Sequence, residues 1–371
     1  MKNKKNLLVV LLSCWISEGG IQRVNRSILK YFSQSNSFRN ISVLVLLDRP
    51  LQIEQAVHSD TLYSRCKIQG FSGGKLKFIF VYIKRILIKR PDFVWFDHVN
   101  SFPLMVSVAV LNIRYGLTIH GIEVFRPIGC LKKVALKMAK YIVCPSDSTK
   151  NEAIKYAPIF KKAMLCPWGF DVQQQNLIRN LPITLDFKDR KTILIVARMS
   201  RENAYSKGHQ ELIEAVKLLN KRLPEILLII VGRGSSQPIF EKLAVEKKIQ
   251  NNVLFTGFVP DEKLHVYYEH CDVFAMPSRG EGFGLVYLEA MAYGKPCIGS
   301  NLDAAKEVIS DSETGYCVDP DNIEELAERL FQLLTDSELR KKMGQAGQKR
   351  YLENFTEQKF HERFMRIIGD V

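Results

Sequence analysis

Two glutamates eight positions apart, Glu281 and Glu289, lie in the run Pro277-Ser-Arg-Gly-Glu281-Gly-Phe-Gly-Leu-Val-Tyr-Leu-Glu289. The first sits in a glycine-rich turn. The second sits inside the helix that this turn opens, because Leu285–Tyr293 is made of good helix formers with Gly294 as a stop and Pro296 beyond it. Eight helical residues rise about 12 Å. A carboxylate pair that works on one glycosidic bond is only ~5–9.5 Å apart, so these two acids suit separate parts of one long ligand. Between them, the helix N-terminus offers free N–H groups and the positive end of its dipole to an anion. Acid, anion site and acid in line would fit the sugar, diphosphate and ribose of a nucleotide-sugar.

Breaking the bond between a sugar and a diphosphate requires that the departing charge be stabilised by a metal or by fixed cations. The one D-x-D, Asp319-Pro-Asp321, precedes the helical run from Ile323, where aspartates serve as caps. A metal is therefore not expected. Fixed charge is at hand. Arg198 stands just past the apolar strand Ile193–Val196, and Lys207-Gly208-His209 opens the next helix. Arginine can grip phosphate through two N–H groups and lysine acts as a compact charge.

With Gly282-Phe283-Gly284 inside it and Gly294-Lys-Pro296 behind it, the two-glutamate run resembles the E-x7-E signature of family 4 glycosyltransferases, retaining enzymes of the two-domain GT-B fold. The resemblance extends over most of the chain and is strongest over 191–335. It implies that Arg198 and Lys207 hold the diphosphate and that Glu289 meets the ribose. It further implies that Glu281 and the backbone of Gly282, Phe283, Gly284 and Leu285 hold sugar hydroxyls. The backbone of Thr256-Gly257-Phe258-Val259 would meet the nucleobase. Gly19 and Gly20, in the loop Glu18–Val24, match the family's Gly-Gly loop, which closes over donor phosphate and acceptor. Thr118-Ile-His120-Gly121 matches its His-Gly, which places His120 at the sugar site; His98 is a weaker candidate. Pro167-Trp168-Gly-Phe-Asp171 matches a hinge segment in which Trp168 replaces an asparagine. Arg233 in Gly232-Arg-Gly234 and the stretch Gly299–Val308 depart from the family pattern, and the loop Met199–Ser206 is longer than usual, which bears on Arg201.

The elements that must position these residues alternate strand and helix, the pattern of parallel α/β sheets. Strands are expected at 7–12, 41–47, 93–96, 115–119 and 141–144, then, after a linker near 172–189, at 192–196, 226–231, 253–256, 273–276 and 296–299. The reading is two Rossmann-like doubly wound domains facing across a cleft, residues 1–175 and 176–356. On resemblance alone, 357–371 crosses back to the first domain. Ligands in such sheets bind beyond the strands' carboxyl ends.

The 371 residues include eight scattered cysteines with no C-x-x-C, which argues against a disulfide framework or zinc site and suits a reducing cytoplasm. All eight are expected to be buried and structural. Lysines near the start followed by Leu7–Leu12 imitate a signal peptide, but the apolar run is short and reads as a first buried strand. The charge is uneven: residues 1–180 carry 27 Lys+Arg against 10 Asp+Glu, net +17, and the rest 26 against 29, net −3. No nucleic-acid-binding signature accompanies the basic half. Its segments 75–90 and 131–140 mix bulky apolar and basic residues, the composition of a helix that lies on anionic lipid. The expectation is a retaining transferase, cytoplasmic or peripheral on the inner face of the membrane. It would take a UDP- or GDP-sugar and a glycan or lipid-diphosphate-linked acceptor, without a cofactor. The alternatives are a sugar-nucleotide epimerase, a phosphorylase, or a sugar-nucleotide-binding module without catalysis.

Overall fold

The computed structural model describes residues 4–16, 19–172, 190–200 and 206–369. It divides into two compact units, Met1–Phe170 with Glu357–Val371, and Asp171–Thr356. The division falls at Phe170 instead of residue 175. The linker expected near 172–189 lies, after Val172, outside the described residues.

Unit 1 is a sheet of seven strands: β1 (Lys5–Leu11), β2 (Phe38–Val45), β3 (Cys66–Gly70), β4 (Phe93–Phe96), β5 (Arg114–Thr118), β6 (Tyr141–Cys144) and β7 (Met164–Leu165). Their order is β3-β2-β1-β4-β5-β6-β7, and every pair is parallel. The apolar run that imitates a signal peptide is the interior strand β1, apolar on both sides because both faces are covered. On one face lie the helices Lys75–Lys84, Phe102–Val110 and Cys130–Met138, whose Phe78, Tyr82, Met105, Val108 and Leu136 form a core with strand residues such as Val10, Phe96 and Leu117. On the other face, Phe32 of the helix Gly20–Gln34 and Phe364 of the final helix Glu357–Ile368 meet Trp95 edge-on at 6.0 and 5.1 Å.

Unit 2 is a second parallel sheet: β8 (Lys191–Val196), β9 (Ile226–Val231), β10 (Val253–Gly257), β11 (Val273–Ala275), β12 (Cys297–Ser300) and β13 (Gly315–Val318), in the order β10-β9-β8-β11-β12-β13. Both sheets reverse their strand progression once, between β1 and β4 and between β8 and β11. Such reversals open a crevice at the carboxyl ends of the strands.

Three strands absent from the sequence reading, β3, β7 and β13, are all sheet edges. The helix Ile323–Thr335 begins where expected, but its cap is Asn322, whose side chain accepts the Glu325 N–H at 3.0 Å. Asp319 instead accepts the N–H of Asp321. The cysteines are unpaired and six are buried, but Cys130 is exposed and Cys317 half-buried, because each sits where its element meets solvent.

Candidate functional site

In unit 2, Arg198 follows β8, Lys207 precedes the helix His209–Leu219, and Glu281 lies in the loop between β11 and the helix Leu285–Ala292. β8 and β11 are neighbours, so all three residues belong to the loops at the strand reversal. Lys207 Nζ donates to Glu281 Oε2 at 2.6 Å, with both side chains about four-fifths buried. Burial alone would raise the Glu281 carboxyl. The Lys207 ammonium and the backbone N–H groups of Phe283 and Gly282 outweigh it and hold the group below the ordinary carboxylate range. The amides ahead of the Leu285 helix are thus already turned toward an anion, the side chain of Glu281 itself.

Each partner of this pair is braced from behind. Asp303, fully buried, accepts the Glu281 N–H at 2.9 Å and the Ser278 hydroxyl at 2.7 Å, and its other oxygen takes the Ala305 N–H at 3.0 Å. On the lysine side, the Arg279 N–H donates to Ser206 O at 2.7 Å. The Arg279 guanidinium bonds Glu211, on the helix that Lys207 precedes, and Asp321 at 2.6 Å. Gly208 and Gly284 precede the two helices with φ of 85° and 88°. A Cβ would fall 2.7 Å from Pro277 in one case and 2.4 Å from the Tyr287 ring in the other, so neither position admits another residue without displacement. Leu285 opens its helix half-buried, and the buried Phe283 ring meets Phe355 at 6.0 Å.

Arg198 is exposed, on a loop held by Met199 N–H to Arg233 O at 3.3 Å and Ser236 N–H to Met199 O at 2.8 Å. Arg233, where the chain departs from the family pattern, lies over the Phe258 ring at 5.1 Å. Phe258 is exposed and Gly257 and Val259 are half-buried beside it. Arg201 is outside the described residues. Glu289 is buried and accepts the Tyr268 hydroxyl, and Tyr268 stacks on Tyr293 at 5.9 Å. Glu289 is the fifth residue of a helix that begins only at Leu285, so the eight residues after Glu281 are not helical throughout.

Unit 1 carries a second cluster at the carboxyl ends of β4 and β5. His120 Nε2 lies 2.9 Å from the Asp97 carbonyl oxygen, and the His120 backbone N–H donates to Glu123 Oε1 at 2.5 Å. A carbonyl can only accept, so Nε2 carries the proton and the neutral ring keeps Nδ1 as an acceptor. Burial pushes this histidine down, against upward pulls from Glu123 and the Asp97 backbone. Trp168 of the hinge segment lies against His120 at 6.0 Å on one side and Phe360 at 5.5 Å on the other. His98 is a local cap, its Nδ1 accepting the Asn100 N–H at 3.0 Å. Gly19 is the cap residue of the helix that Gly20 begins, and its φ of −178° is extended backbone open to any residue. Asp97 is buried; one oxygen accepts Leu12 N–H at 2.7 Å and Asn25 Nδ2 at 3.0 Å, so it ties the start of the glycine loop to the strand end that holds His120.

Sequence reasoning missed the bracing residues Asp303, Arg279, Tyr268 and Asp97. Arg279 stands inside the two-glutamate run and Asp97 closes the wholly apolar β4, signals that were open to reading. Asp303 lies where the chain departs from the family pattern, and nothing local marks it.

Residues 179–350 match the family model described as glycosyl transferases group 1. The chain is 33% identical over 174 residues to the GDP-mannose-dependent alpha-(1-6)-phosphatidylinositol monomannoside mannosyltransferase of Mycolicibacterium smegmatis, a match of 45% of this chain and 44% of that protein. It is 27% identical over 274 residues to the capsular polysaccharide biosynthesis glycosyltransferase CapM of Staphylococcus aureus, 70% of each. The chain thus spans less than half the length of the mannosyltransferase it matches. Among solved structures, Anabaena HepE in complex with UDP superposes with a TM-score of 0.76 at 17% identity, over 99% of this chain and 100% of that one. Sucrose-phosphate synthase from Thermosynechococcus elongatus gives 0.77 at 19%, over 98% of each. At these identities the likeness speaks to fold: two Rossmann-like α/β units of the GT-B type.

Proposed function

We propose that this chain is a retaining glycosyltransferase. It moves a sugar from a nucleoside-diphosphate sugar, UDP- or GDP-linked, to a glycan or lipid-linked glycan acceptor in surface polysaccharide assembly. The observation that carries the reading is the Lys207–Glu281 pair at the β8/β11 reversal, beside amides that already face a carboxylate. The names of the mannosyltransferase and capsular relatives, and the UDP bound to HepE, point the same way.

In this reading unit 2 binds the donor. The incoming diphosphate competes for Lys207, and Arg198 adds a second cation. The freed Glu281 carboxylate and the Gly282–Leu285 backbone take the sugar hydroxyls, and Glu289 accepts from the ribose. Lysine, arginine and the helix N-terminus stabilise the charge that grows on the leaving diphosphate, so no metal is required. The acceptor hydroxyl attacks from the face the diphosphate leaves, and the diphosphate takes its proton. His120, neutral and offering Nδ1, lines the sugar site and orients hydroxyls. Gly19 and Gly20 close over donor phosphate and acceptor, and Gly257, Phe258 and Val259 border the base. The protein works in the cytoplasm, peripheral to the inner face of the membrane.

Lys207→Ala and Glu281→Ala are expected to lower turnover at least a hundredfold while circular dichroism stays unchanged, and EDTA is expected to leave the wild type active. Near-normal turnover in both variants, or loss with EDTA, would end this mechanism. Conversion of the donor to an epimeric sugar-nucleotide in the absence of any acceptor would point to an epimerase instead.

A further inference from the structure

The two basic, apolar segments of unit 1 belong to one surface. The helices Lys75–Lys84, Phe102–Val110 and Cys130–Met138 form a layer on one face of the sheet, joined through the shared core and through the Tyr82 hydroxyl bonded to Leu104 O at 2.7 Å. The first continues as a π-helical turn, Arg85–Lys89. Its inward residues Phe78, Tyr82 and Ile86 are buried. Its outward residues are also apolar: Leu76 is 86% exposed, Phe80 69%, Leu87 59% and Ile88 71%. Leu76, Phe80, Ile83 and Leu87 recur at the spacing of one helix face. The neighbouring helices add Val110 at 78% and Leu131 at 64%, with Val134 and Met138 also exposed. A single exposed leucine is ordinary, but an apolar surface across three adjacent helices marks an interaction face.

Charge identifies the partner. The three helices and the π-turn contain no aspartate or glutamate, and Lys75, Lys77, Lys84, Lys133 and Lys137 lie among the apolar residues, exposed. At the edge of the layer, between the π-turn and the starts of β1–β3, a cavity of about 330 Å³ is lined by Arg39, Lys67, Arg85 and Lys89. Two of these have neutral partners: Arg39 donates to Asn6 Oδ1 at 3.0 Å and Arg85 to Ser42 Oγ at 2.9 Å. A protein partner of ordinary composition would have to bury these cations opposite acids. An anionic bilayer accepts both features, apolar side chains at the acyl boundary and lysines among headgroups.

We propose that this three-helix face of unit 1 docks on an anionic phospholipid bilayer. The proposal rests on the reading of a membrane-held acceptor and fixes the surface involved. The opposite sheet face is closed by the first and final helices. The helix from Lys75 begins at the carboxyl end of β3, and the one from Cys130 follows the loop that holds His120. The docked plane therefore runs up to the strand ends where an acceptor's hydroxyl would enter.

The test is flotation of the full chain with phosphatidylcholine vesicles, with or without phosphatidylglycerol. Binding is expected only with the anionic lipid. Phe80→Glu with Leu87→Glu should abolish it, and Lys84, Lys133 and Lys137 changed to Gln should each weaken it about fivefold. Lys221, Lys341 and Lys342 of unit 2 changed to Gln remove the same charge and should leave it unchanged. Equal weakening by both lysine sets, or binding unaffected by the Phe80/Leu87 pair, overturns the proposal. So does a concentration-dependent dimer that the Phe80/Leu87 pair disperses while flotation persists, which would make the face a self-association surface. Flotation needs neither donor nor turnover. A failed docking beside an intact Lys207 effect removes only the surface, and the reverse result removes only the transfer mechanism.

Discussion

The two units solve one problem in opposite ways. In unit 1 the loop after β1 turns three successive backbone N–H groups, of Cys14, Trp15 and Ile16, onto the carboxylate of Asp48 at 2.7–3.3 Å. Asp48 is fully buried, and burial raises its carboxyl even though those amides pull it down. In unit 2 the amides of Gly282 and Phe283 also meet a carboxylate, that of Glu281, but it is partly open to solvent and paired with Lys207. Both loops are backbone nests suited to an anion. One is filled for good by the chain itself. The other holds its occupant in an ion pair with Lys207, partly open to solvent, and in the proposed function a diphosphate competes for that cation. The same strand order therefore carries a closed nest in one unit and a partly open, ion-paired one in the other.

The sharpest way to break that contrast is to remove each occupant. Asp48→Ala leaves three buried or half-buried N–H groups without a partner and is expected to cost about 3 kcal/mol in urea unfolding. Glu281→Ala should cost less, about 1 kcal/mol, because a fifth of the Glu281 side chain is open to solvent, so water can enter where it stood. Equal losses would erase the distinction. A second contrast is in pH. His209, buried against Phe240 at 5.0 Å, is pushed down to about 4, by burial first and then by Lys207, with the Ala197 backbone pulling the other way. Its unfolded value is about 6.5. The unfolded chain binds more protons between the two values, so the stability of unit 2 should rise with pH from 4 to 6.5, by about 3 kcal/mol, then level off. His209→Phe should flatten that rise; an unchanged profile would remove histidine as its cause. In unit 1 the sign reverses. Burial lifts Asp97 to about 7, against the Leu12 N–H and Asn25 bonds. The stabilisation present below its unfolded value is lost as pH climbs through 7, and Asp97→Asn should abolish that decline. The smallest effect belongs to Arg279→Gln, which loosens the Lys207 loop. It should lower kcat/KM about fivefold, roughly 1 kcal/mol, with little change in fold.

The sequence made the interior of each sheet legible. β4, β6 and β9 lie where the apolar runs place them, because a strand covered on both faces must be apolar throughout. β3, Cys-Lys-Ile-Gln-Gly, and β13, Gly-Tyr-Cys-Val, were not seen: each has one neighbour and needs little apolar surface, and β7 is two residues long. Lys207 and Glu281 were both singled out, yet their contact was not, since residues 74 apart in sequence meet only through the β8/β11 pairing. Asp48 was not singled out, because its ties to Cys14–Ile16 depend on the β1/β2 register. Local chemistry is written in the chain, whereas pairings across the sheet appear only once strand order is known.

All three tryptophans, Trp15, Trp95 and Trp168, fall in unit 1, and unit 2 has none. Indole fluorescence is therefore a private reporter of one half of the molecule, while calorimetry registers both. If the emission change and the heat peak part company during a thermal ramp, the halves melt separately. If they coincide, the chain behaves as one cooperative body.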